Sequence, residues 1–208
     1  MRPIKFQSRP AAIACLLLLP VPATSFAENN VAFFGGWRAS STLEDSVAQR
    51  EVRLRDSGSF STALDLALDD SRQLELFLSY QSTALSVMQT GSTAPVRLPV
   101  KVTYAHFGGT NYFDGPVGVG PYVAGVFGLT RLTPGLEGLE SETKASLSLA
   151  LGYSYPLGRY VALRVEGRIY WTLLNSSSSL FCSGGCTITI KGDTLQQAEM
   201  MLGISARF

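Results

Sequence analysis

Cysteine, histidine and long apolar runs are all scarce in this chain, and each scarcity excludes something. The cysteines are Cys15, Cys182 and Cys186, and His106 is the one histidine. Two neighbouring thiols with no further cysteine or histidine beside them do not complete a zinc shell, so no metal or cofactor is expected. No run approaches the ~20 apolar residues that a membrane-spanning helix needs. Basic residues number 17 and acidic residues 16, which leaves no basic face for nucleic acid. Internal repeats and low-complexity linkers are missing too. The glycine pairs Gly35-Gly36 and Gly108-Gly109, and Gly118-x-Gly120, do not open a helix after a strand, as a dinucleotide fingerprint must.

What is present begins with an address label. Arg2, Lys5 and Arg9 form a positive start, Ala11–Leu19 a short apolar core, and Ser25-Phe26-Ala27 a small-residue cleavage site. Residues 1–27 therefore read as a secretory signal peptide, with Cys15 inside the apolar core rather than at a lipidation site. Residues 28–208 form one domain. In an exported chain the remaining pair, Cys182 and Cys186, reads as a disulfide. Its two intervening glycines let the chain fold back over a short ring.

The dominant signal is a period of two. Val161, Leu163, Val165, Gly167, Ile169, Trp171 and Leu173 alternate with Tyr160, Ala162, Arg164, Glu166, Arg168, Tyr170 and Thr172. Successive strand side chains point to opposite faces, so one face is oily and the other charged. The same alternation runs through Met200–Phe208, Lys144–Tyr155, Phe60–Leu68 and Leu74–Gln81. Val31–Ser40, Leu98–Gly108 and Gly118–Thr130 complete eight strands. The connections alternate as well. Long polar segments (Ser41–Gly58, Ser82–Arg97, Arg131–Thr143 and Asn175–Asp193) alternate with short ones around Asp69–Arg72, Asn111–Val117 and Pro156–Arg159.

Eight strands with long loops at one rim and short turns at the other predict an all-β, antiparallel, up-and-down transmembrane barrel. Its strand at Phe208 should pair with the strand at Val31, because hydrocarbon tolerates no open edge. A soluble barrel would turn its oily parity inward around a ligand. Here the polar parity carries Arg38, Asp65, Glu75, Lys101, Arg164, Glu166, Arg168, Glu199 and Arg207, a nearly balanced set suited to a self-neutralising lumen. Aromatics on the oily parity lie near strand ends, with Trp37, Phe60, Tyr80 and Trp171 toward the long loops and Phe33, Tyr155 and Phe208 toward the short turns. Such rings collect at bilayer interfaces.

On these segments, above all Met200–Phe208, the chain resembles the small eight-stranded outer-membrane barrels grouped with the transmembrane domains of OmpA and OmpX. The resemblance implies an outer-membrane location with periplasmic termini and extracellular long loops. It implies a final aromatic, Phe208, read by the barrel-assembly machinery, and contact with membrane lipid and lipopolysaccharide. No cell-wall tether is implied, since the chain ends at the barrel. The expected role is non-enzymatic, in envelope integrity or as a surface-interaction protein, with an unnamed surface ligand. The alternatives are a narrow channel for ions or small hydrophobic molecules and a lipid A modifying enzyme.

The constellation to weigh for chemistry is Arg164-x-Glu166-x-Arg168, three side chains on one face about 7 Å apart. It is either a selectivity site or a structural ion-pair core, and eight strands leave room only for side chains to fill the interior. Some barrels of this size are lipid A hydrolases with a serine two residues past the histidine. Here that position is Gly108, so His106 is expected as a ring near the periplasmic interface. The mixed charges of Glu44–Asp56 read as a solvated loop that could also meet lipopolysaccharide phosphates.

Overall fold

The computed structural model describes residues 29–208 apart from 46–50, 88–95, 137–138, 175–178, 181–187 and 192–193. The signal-peptide reading, the Cys182–Cys186 pair and part of the first loop's charge run lie outside the described residues. Twelve strands follow in order: β1 (Asn30–Ser40), β2 (Thr42–Asp45), β3 (Glu51–Leu54), β4 (Ser57–Ala67), β5 (Arg72–Val87), β6 (Val96–Tyr112), β7 (Gly120–Pro134), β8 (Glu142–Pro156), β9 (Val161–Leu173), β10 (Ser179–Leu180), β11 (Ile188–Lys191) and β12 (Thr194–Arg207).

Eight of them close a barrel in the order β5-β4-β1-β12-β9-β8-β7-β6, with β6 returning to β5, every pairing antiparallel. The seam is the expected one, with Val31 opposite Ala206. Cross-strand partners followed once around from Asn30 run through Asp65, Glu75, Gly108, Val126, Ser148, Tyr170 and Gln197 to Ser40, ten residues further along β1. This stagger tilts the strands, and the return of β6 to β5 closes the eight-stranded ring.

The faces are inverted relative to a water-soluble protein. Phe33, Trp37, Phe60, Phe127, Leu151, Met200 and Leu202 stand outward and exposed, whereas Arg38, Asp65, Glu75, Arg164, Glu166, Arg168 and Glu199 are at most 3% exposed. Close packing demands small residues opposite large ones inside. A Cβ at Gly152 would overlap the Tyr122 ring, and one at Gly203 the Phe34 ring.

The strands reach further than the period of two suggests. β2 and β3 prolong the β1–β4 hairpin through Ser41–Gly58, and β11 pairs with β2 through Ile190 and Asp45. The expected loop Ser82–Arg97 is strand at both ends, where Val87 faces Val96. These segments fall inside the long polar stretches that read as loops. Between Leu54, opposite Leu85, and Ser59, opposite Gln81, four residues face three, a β-bulge that carries Arg55 and Asp56.

Three expectations are corrected. Lys101 points outward and is exposed, because inward positions on β6 are Val100, Val102, Tyr104 and His106. The long-loop end of the lumen is apolar, built from Leu54, Leu85, Val100, Val102, Leu132, Leu174 and Leu195. There the polar parity is the outer one. His106 is not an interfacial ring; it lies on the inward parity, 1% exposed. Tyr160 belongs to the turn before β9 and is exposed.

Candidate functional site

Every inward strand position projects into one narrow space, so the barrel's chemistry is concentrated there. Arg38 on β1 faces Glu199 on β12 as a direct cross-strand partner, and its Nη2 reaches the Glu199 carboxylate at 2.7 Å. Ser79 accepts a short hydrogen bond from the same guanidinium, while Ser59 and Tyr170 donate short ones to Glu199. The guanidinium also lies over the Tyr170 and Tyr104 rings, 4.5 and 5.0 Å from their centroids. Such contacts favour a cation that has lost its water.

Toward the short turns, Arg168 donates to Glu166 and to Glu75, each at 2.7 Å, and sits 3.8 Å from the centre of Phe77. Arg164 donates to Asp65 at 2.6 Å and to the Tyr122 hydroxyl at 3.2 Å; that hydroxyl in turn donates to Glu166 at 2.7 Å. Thr110 donates to Glu75 at 2.8 Å. Two guanidiniums and three carboxylates are thus joined into one network. The Arg164-x-Glu166-x-Arg168 spacing places them, since alternate β9 residues share the inner face. Arg207 lies apart at the rim, half-buried, donating to the Gly118 carbonyl at 2.7 Å. Phe208, the expected assembly signal, ends the chain outward and exposed, its N–H donating to the Asn29 carbonyl.

Sequence reading missed the residues that join these charges. Tyr104 donates to Gln197 at 2.6 Å, and Gln197 donates to Ser40 and Gln81. His106 meets Ser146 through Nε2 at 2.8 Å and Ser148 through Nδ1 at 3.1 Å. Inward parity on β8 and β12 marks Ser146, Ser148 and Gln197, but only the register shows whom they meet. A serine hydrolase needs an acid to orient the histidine. At that place stands Ser148, itself accepting from Arg168 at 3.3 Å. Among the described residues no group of three His, Cys, Asp or Glu side chains could hold a metal ion.

The sequence matches no protein-family model and none of the curated proteins. Solved structures share the fold. Neisserial surface protein A (NspA) is similar at 17% identity and a TM-score of 0.56, covering 86% of this chain and 97% of that one. Outer membrane protein AlkL, determined in lipid bilayers, is similar at 12% identity and a TM-score of 0.58, covering 91% of this chain and 95% of that one.

Proposed function

We propose that this protein is a non-enzymatic outer-membrane barrel whose closed lumen is structural and whose long-loop rim faces the cell exterior, with both termini periplasmic. The observation that carries the reading is the pairing of an oily outer wall with an ionic interior capped by an apolar layer. In hydrocarbon every backbone polar group must be satisfied internally, and the seam between β1 and β12 does so. Each interior guanidinium and carboxylate meets an opposite charge at hydrogen-bond distance, which suits a filling rather than a selectivity filter. β2, β3 and β11 raise the wall on one side of the long-loop rim, giving a platform suited to envelope contacts or a surface ligand.

Reconstitution in a planar bilayer separates this from the channel alternative. The protein should migrate differently on cold and on boiled SDS gels, as folded barrels do, and should give no steady conductance. Steady openings abolished by R164A or E166Q would make the lumen a channel instead. Unchanged gel migration would count against the membrane barrel itself.

A further inference from the structure

Outside the lumen, one sector of the wall combines features that the closed barrel does not need. The cross-strand row Phe60, Tyr80, Thr103, Arg131 lies on the outer face of β4, β5, β6 and β7. Two residues nearer the loops, the next row is Ser82, Lys101, Thr133. Higher still comes Arg53, Ser86, Arg97. Lys101 and Arg131 are therefore diagonal neighbours on adjacent strands, about 7–8 Å apart. Both are exposed, as are Arg53, Arg55 and Arg97.

Asp56 pairs with Arg53, each oxygen at 3.2 Å. Among the described residues neither Lys101 nor Arg131 has an ion-pair partner. Directly below the cations, a groove of about 370 Å³ is lined by Phe33, Phe60, Thr62, Leu78, Tyr80 and Thr103. Thr62 and Thr103 are small outward residues between larger ones, and they leave the hollow. An apolar hollow under unpaired cations, at the level where aromatic rings meet the interface, fits an amphiphile with anionic head and acyl tail.

We infer that this sector binds lipopolysaccharide, the lipid A phosphates seated on Lys101 and Arg131 and an acyl chain lying in the Phe33–Phe60–Tyr80 groove. The inference rests on the proposed orientation, which puts the long-loop rim in the outer leaflet. Basic side chains at an anionic membrane surface attract it and are screened by salt. The groove adds chain burial that a soluble phosphate cannot exploit.

The test uses the mature full-length protein in nanodiscs, titrated with lipid A, dephosphorylated lipid A and phosphatidylglycerol. Wild type should bind lipid A on the order of tenfold more tightly than K101E/R131E, and the preference should shrink at high salt. T103W, which fills the groove and keeps the charges, should weaken binding as well. R159E at the opposite rim should not. Cold and boiled gel mobility confirms that each variant is folded. Equal lipid A affinity in folded wild type and K101E/R131E would overturn the inference and leave the membrane barrel standing, as would equal affinity for phosphatidylglycerol. A wild type without heat-modifiable migration would remove the barrel reading and the site with it.

Discussion

Arg38 and Glu199 are register partners across the strand pair that closes the barrel, and their side chains meet at 2.7 Å with neither exposed. The first and last strands of the fold are thus joined by a buried ion pair as well as by backbone bonds. Removing one partner leaves a buried charge uncompensated, at a cost of about 3–5 kcal/mol. R38M should therefore be strongly destabilised in reversible urea unfolding from detergent or lipid. R38M/E199M should regain most of that loss, because an apolar pair of similar volume is about as stable. A double variant as unstable as the single one would mean that the ring contacts of Arg38, not its charge pairing, dominate.

Tyr122 occupies the volume that a side chain at position 152 would need. G152A should shift Tyr122 away from Glu166 and Arg164 and cost about 1–3 kcal/mol, the usual range for overpacking. G35A is the control, since a Cβ there meets nothing within 4 Å. Comparable losses in the two variants would show that glycine's backbone freedom, not lumenal space, is being measured.

In the short turn between β4 and β5, hydrogen bonds from Arg72 and Ser71 hold the Asp69 carboxyl down to about 2, from an ordinary 3.8. A depressed folded-state value contributes stability that is fully present above the unfolded value and is lost as pH falls toward the folded one. The stability difference between wild type and D69N should therefore be constant above pH ~5 and shrink between pH ~4 and ~2. A difference that does not change across that interval would contradict the turn geometry.

How far the sequence reveals this molecule varies from strand to strand. Val161–Leu173 and Met200–Arg207 show their inner and outer faces without ambiguity, because charge lies on one parity and aliphatic carbon on the other. β6 does not. Its inward Val100 and Val102 cap the lumen, its outward Lys101 stands above the apolar belt, and local alternation reverses meaning there. β2, β3, β10 and β11 lie inside long polar stretches of sequence that read as loops. Apart from the outward Lys101 and the rim residue Arg207, the lumenal charges are visible from parity, yet the pairing of Arg168 with Glu75, or of Tyr122 with Glu166, depends on the ten-residue stagger. No local pattern encodes that stagger, which emerges only when all eight strands close.

The direction in which the oily face points is the central claim, and tryptophan reports it directly. Trp37 lies outward on β1 and is 61% exposed. In a W171F variant reconstituted with lipids brominated at graded depths, its fluorescence should be strongly quenched by bromine near the upper acyl chain and little by aqueous acrylamide. Strong acrylamide quenching with no effect of brominated lipid would place this wall in water and contradict the account.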